Sequence, residues 1–197
     1  MTSKRQKQAD IDTRAQVVDA ALRLAAARDW ANIPLSDIAS EAGITLADLA
    51  RSFECRDDII TAYARRIDAD ILENFGGYSE GSGSPRDLLF DILMDRFERL
   101  KRDRAAILSI LGSFTADPKQ MVISLPHIGK SMAWMLEACG VETIGWRGAL
   151  RVAGLSAVYL YVLRVWLEDD SADMGKVMAA LDRALARTER WAGTLGF

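Results

Sequence analysis

The chain has 197 residues, half of them hydrophobic and 27% charged. These are values of a folded protein with one large domain or two small ones, and they exclude a disordered or fibrous chain. A net charge of -3 argues on its own against a nucleic-acid partner, which draws on clustered Lys and Arg.

The N-terminal MTSKRQKQAD is polar and basic and lacks the apolar core of a secretory signal. Two cysteines, Cys55 and Cys139, and a single histidine, His127, cannot complete a Cys/His zinc set. They suit a reducing cytoplasm better than a disulfide framework. A cytoplasmic protein with no metal and no cofactor is therefore expected.

Few prolines and apolar residues repeating at three and four predict an all-α chain of about nine helices. The first is expected over 13–28, with Val17, Val18, Ala21, Leu22 and Ala25 on one face. Thr13 and Gln16 have capping-box spacing at its start. A short helix follows from Leu35 to Ala42, stopped by Gly43, and a second begins at Thr45, which has capping-box spacing to Asp48. Two short helices joined by a Gly turn form the pattern of a helix-turn-helix. A longer helix over 56–75 carries Asp57 and Asp58 in its first turn, where they meet the positive end of the helix dipole. The Gly- and Ser-rich stretch 76–85 reads as a linker. Beyond it, helices are expected near 86–102, 104–114, 119–138, 143–168 and 173–194. The expected division is a head of residues 1–65 and a larger domain of residues 66–197.

The run RAQVVDAALRLAAARDWANIPLSDIASEAGITLADLARSFECRDDII, from Arg14 to Ile59, resembles the DNA-binding region of TetR-type transcriptional repressors. The resemblance rests on Arg14, Ala20-Ala21, Ile38-Ala39, Ala42-Gly43-Ile44-Thr45, Leu49, Phe53 and Arg56-Asp57-Asp58, and covers about a quarter of the chain. It implies a three-helix head that binds double-stranded operator DNA and a variable helical domain that binds a small molecule and dimerises. It also implies repression released by a small apolar effector. Three positions depart from the family pattern. Ala50 stands where a phosphate-touching Tyr is usual, Pro34 where a Thr opens the first short helix, and Arg56 where a Lys is usual. Val165 to Leu185 separately resembles the end of the TetR-like lipid-binding accessory protein of ubiquinone biosynthesis, which leaves a lipid-binding or accessory protein without DNA binding as the alternative.

The distribution of charge says more than its sum. Residues 1–65 hold nine Lys or Arg against ten Asp or Glu, with Lys4, Arg5 and Lys7 concentrated in the first seven residues. DNA contacts would then come from an N-terminal arm carrying Lys4, Arg5 and Lys7. They would also come from Ser36, from Thr45, Leu46 and Ala47 at the start of the second short helix, and from Arg51, Ser52 and Arg56 at phosphates. The plain reading of the arm is a solvated tail, and that of Leu46 is packing on a partner or lipid.

In the larger domain Phe97, Phe114, Met132, Trp134, Met135, Trp146 and Tyr159 are the candidate lining of an effector pocket, with core packing as the alternative. His127 reads as a surface residue or a ligand-orienting group. The helix over 143–168 is apolar nearly all round, which two-sided burial explains. Tyr161, Val165, Met174, Met178, Leu181 and Leu185 are the candidate seam of a homodimer built as a four-helix bundle; a monomer with a central helix is the alternative. The longest nearly uncharged apolar run, 152–167, is shorter than the roughly 18–20 residues of a membrane span and contains Arg164, so no membrane insertion is expected. No Gly-rich phosphate loop and no Ser/His/Asp or His cluster marks an enzyme.

Overall fold

The computed structural model describes residues 2–75, 83–116 and 118–195, and the side chains of 11–75, 83–114 and 125–190. Among the described residues there are nine α-helices and no strand. They are α1 (Thr2–Ala27), α2 (Leu35–Glu41), α3 (Leu46–Ser52), α4 (Arg56–Phe75), α5 (Pro85–Arg102), α6 (Arg104–Ala116), α7 (Pro118–Ala138), α8 (Gly145–Glu168) and α9 (Gly175–Leu195). A 3₁₀ turn, Trp30–Asn32, separates α1 from α2.

α1 begins at Thr2, eleven residues before the expected start. The stretch 2–12 holds no Pro or Gly, so nothing in it breaks a helix once the amphipathic part is anchored. Thr13 and Gln16 therefore lie inside the helix and cap nothing, and the expected arm is helical backbone. The side chains of Lys4, Arg5 and Lys7 lie outside the described residues.

The chain divides into two compact units, Met1–Ile67 with Leu100–Ile123, and Asp68–Arg99 with Ser124–Phe197. This differs from a single cut after residue 65, because α6 packs on α1. In the first unit Val17, Val18, Ala21, Leu22 and Ala25 of α1 are all buried, as their spacing predicts. They share a core with Ile38, Leu49, Phe53, Ile59 and Ile110. Ser109 of α6 ties the end of α1 to the 3₁₀ turn: its hydroxyl accepts from Trp30 N at 2.9 Å and donates to Arg28 O at 3.0 Å.

In the second unit α8 and α9 pack together. Phe97, Met132, Met135, Tyr159, Val162, Trp166, Val177 and Leu181 are buried. Asp169 holds the entry to α9. Its carboxylate accepts from Ser171 Oγ at 2.6 Å, Ser171 N at 3.1 Å, Lys176 N at 3.2 Å and Val177 N at 3.3 Å. These bonds, the Ser171 hydroxyl first among them, hold the carboxyl below its ordinary range.

Candidate nucleic-acid interface and effector core

The turn between α2 and α3 follows from Gly43, whose φ of +70° is the left-handed conformation that glycine adopts at little cost. Ile44 N reaches back to Ala39 O at 3.0 Å and Gly43 N to Ser40 O at 3.1 Å, which closes α2. α3 opens on the expected capping box: Asp48 N donates to Thr45 Oγ1 at 3.1 Å and Thr45 N to Asp48 Oδ2 at 3.3 Å. Asp48 also accepts from Arg51. The Thr45 hydroxyl and then the Arg51 guanidinium hold its carboxyl below the usual carboxylate range.

One side of α3 is anchored by Leu49 and the following Phe53, both buried. Its other side is open to solvent through Thr45, Leu46, Ala47, Ala50 and Arg51. Leu46, an apolar side chain, is 51% exposed. Ser36 on α2 is exposed and Ser52 is half-buried.

Two arginines shape this motif from behind, and the sequence signalled neither role. Arg14 of α1 donates to Ser52 O, and its guanidinium lies 4.3 Å from the Phe53 ring centroid, so it closes the C-terminal end of α3. Arg56 donates through Nη1 to Trp30 O at 2.9 Å, Ala31 O at 3.3 Å and Ile33 O at 2.9 Å, and sits over the Trp30 ring at 5.6 Å. Arg56 thus clamps the turn that leads into α2 through Nη1, a supporting role beside the phosphate contact expected of it. Arg23 pairs with Glu41 and Arg28 with Asp37, each at 2.8 Å. From Arg14 to Arg56, then, every arginine of the head has an internal partner. The exposed pairs among them open at a cost of about 0–1 kcal/mol, whereas the Arg56 clamp does not open without unmaking the turn.

The expected effector lining separates into two groups. Phe97 and Tyr159 stack with centroids 5.5 Å apart and planes at 22°. Met132 and Met135, on the buried side of α7, belong to the same unit. Phe114 is buried and belongs to the first unit. Trp134 and Trp146 are 59% and 65% exposed, so they lie on the surface and not among the lining. Beside the Tyr159 ring lies a polar cluster absent from the sequence-based candidates. Arg96 Nη1 donates to Asp68 Oδ1, Ser131 Oγ donates to the same oxygen at 2.9 Å, and Arg96 lies over the Tyr159 ring at 5.2 Å. All three polar residues are buried. They come from α4, α5 and α7, and no sequence spacing links them. His127 is half-buried.

The expected seam also separates. Met174, Leu181 and Leu185 are buried within the chain. Leu181 and Leu185 lie one turn apart on the buried face of α9, which packs on α8, and Met174 lies just before the helix. Burial within the chain removes all three from any surface a second copy could meet. Tyr161 and Met178 are exposed and Val165 is half-buried. With Trp146 and Leu150 they leave α8 uncovered: only 28% of its most apolar 18-residue stretch is buried. By length and composition α8 is long and apolar enough to cross a membrane.

No protein-family profile and no curated protein sequence matches the chain. Solved structures do. A TetR transcriptional regulator from Nitrosomonas europaea ATCC 19718 superposes with a TM-score of 0.70 at 21% identity, over 88% of this chain and 96% of that one. A TetR transcriptional regulator from Rhodococcus sp. RHA1 gives 0.63 at 19%, over 89% and 94%. RolR, solved with resorcinol, gives 0.50 at 21%, over 90% and 89%. The chain has the all-α fold of TetR-type transcriptional regulators.

Proposed function

We propose that the protein is a homodimeric DNA-binding transcriptional regulator, a repressor released when a small effector occupies the second unit. The observation that carries this reading is α3. It is a capped, well-anchored second helix of a helix-turn-helix whose outward side is left bare. In such motifs that side enters the major groove. Thr45 supplies a hydrogen bond there, Leu46 and Ala47 offer apolar contact to thymine methyl groups, and Arg51 further along the helix meets a phosphate. Ser36 and Ser52, together with Lys4, Arg5 and Lys7, serve the phosphate backbone.

The exposed side of α8, with Trp146, Leu150 and Tyr161, and Met178 of α9 form the surface that a second copy covers. Two heads held about 34–36 Å apart then meet successive major grooves. The effector core is built on Phe97, Tyr159, Met132 and Met135. RolR, with the same fold, was solved with an aromatic diol. Release follows if the effector binds more tightly to a head spacing that DNA does not accept.

Selection from a random duplex library with the full-length protein tests the reading. Enrichment of a near-palindromic site supports it. A second reading, a lipid-binding or accessory protein of the same fold, is favoured by the internal pairing of the head's arginines and by Ala50. Absence of any enriched sequence, together with co-purified lipid, would replace the first reading with the second.

A further inference from the structure

The buried Asp68, Arg96 and Ser131 cluster poses a chemical question that core packing does not answer. The Arg96 side chain is 5% exposed. It bonds Asp68 end-on through Nη1, leaving its Nε–H, also buried, without a partner among the described residues. Burying a donor unpaired costs about 1–3 kcal/mol. A buried ion pair is also no better for stability than well-packed apolar side chains of the same volume. Both bonds that Asp68 accepts among the described residues, from Arg96 and Ser131, fall on Oδ1. Oδ2 is not among the buried unpaired atoms, and the Asp68 side chain is 12% exposed, so this oxygen is open to an incoming donor. Nε is one bond angle from Nη1, and Oδ2 is one bond angle from Oδ1. An unpaired buried donor on Arg96 and the second, open oxygen of Asp68 therefore stand beside the bonded pair.

Charge and shape narrow what fits. The Arg96 and Asp68 charges cancel, so a charged guest would bring an uncompensated charge into a buried place. A hydroxyl group can donate to one oxygen and accept from one N–H at once. The surroundings include the flat Tyr159 ring, with Arg96 over it and Phe97 stacked on it. The helix that carries Ser131 also carries the buried, unbranched Met132 and Met135, a side-chain type that adapts to irregular shapes. We propose that the second unit binds a neutral hydroxylated aromatic molecule, its hydroxyl donating to Asp68 Oδ2 and accepting from Arg96 Nε–H, its ring against Tyr159 and Phe97. This sharpens the small apolar effector expected from the sequence, and it rests on the reading of this unit as an effector domain. Ser131 is a positioning residue, fixing the Asp68 carboxylate through Oδ1.

The test uses the full-length protein with phenol, toluene and benzoate as probes at millimolar concentration. Binding is read by thermal shift and by the ¹H–¹⁵N resonances of arginine Nε. Phenol is expected to bind at least tenfold more tightly than toluene or benzoate, because a buried site made to bond a hydroxyl discriminates against the analogue lacking it. Phenol, and not toluene, should move the Arg96 Nε–H resonance. In Arg96→Lys, which keeps the charge but lacks Nε–H, and in Asp68→Asn, phenol should lose its advantage over toluene. Where a variant fails to fold, the wild-type resonance and the phenol-to-toluene ratio decide. Equal binding of phenol and toluene, no phenol binding, or an unmoved Arg96 resonance overturns the proposal. Phenol bound at Arg96 by a protein that binds no DNA removes the regulator reading and leaves this one standing. Release of DNA by toluene with no binding of phenol does the reverse.

Discussion

Two arginines of the head, Arg51 and Arg56, differ in what their charge meets. Arg51 faces solvent and touches one carboxylate on its own helix, and Arg56 holds three backbone carbonyls and an aromatic face. Hydrogen bonds from a charged donor are worth about 1.5–3 kcal/mol, so Arg56→Ala is expected to lower unfolding stability by about that much. Chemical denaturation measures it, and an unchanged midpoint would mean that the clamp contributes nothing. The sequence could not separate these two, because backbone carbonyl acceptors leave no residue signature. The cysteines divide in the same way. Burial pushes the Cys139 thiol up to about 12, whereas Cys55 is exposed. The thiolate is the reactive form. Iodoacetamide at pH 8 should therefore modify the native protein once, at Cys55, and reach Cys139 only after unfolding. Mass spectrometry of the alkylated peptides checks the assignment.

At the scale of elements, the helices were readable where a local residue stops or starts one. Gly43 and the Thr45/Asp48 pair marked the turn and the start of α3 in the sequence as they stand in the fold. Thr13/Gln16 had the same spacing and marked nothing, because the residues before it continue the helix. A cap signal is informative only when something upstream prevents helix. The entry to α8 depends on a contact the sequence hides. Gly148 is buried against the preceding loop, and a Cβ there would lie 2.0 Å from the Thr143 carbonyl carbon and 2.1 Å from its oxygen. Those are backbone atoms and cannot swing aside. Gly148→Ala is therefore expected to destabilise the protein by about 1–3 kcal/mol, the usual range for overpacking. Ala149→Gly, at an exposed position on the same turn, should cost about 1 kcal/mol or less. If the two variants melt together, the close approach at Gly148 does not matter. The periodicity of α9 was legible too, but it gives a face and not the identity of what covers it. Leu181 and Leu185 turn inward, Met174 is buried just before the helix begins, and Met178 is left exposed.

The whole molecule combines a head whose arginines from Arg14 to Arg56 have internal partners with a second unit that leaves α8 half bare. A net charge of -3 pointed away from DNA. The pairing of Arg23, Arg28 and Arg51 with nearby carboxylates refines that, since exposed pairs exchange one anion for another at little cost. The uncovered α8 predicts association. Leu150→Glu with Tyr161→Glu, both at exposed positions, should turn a dimer into a monomer at micromolar concentration while leaving the far-ultraviolet helical signal intact. Light scattering showing a wild-type monomer would contradict the assembly. What no local pattern reveals is the meeting of Asp68, Arg96 and Ser131 from three helices, since long-range polar contacts arise only when the fold closes. The regulator reading itself is tested most directly by fluorescence anisotropy of the full-length protein on duplex DNA from beside its own gene, titrated across salt against a scrambled duplex. Selective binding whose log affinity falls linearly with log salt is predicted. The slope should shrink by about one in Arg51→Ala, as for loss of one phosphate contact. Equal affinity for both duplexes, or no binding at low salt, would contradict it.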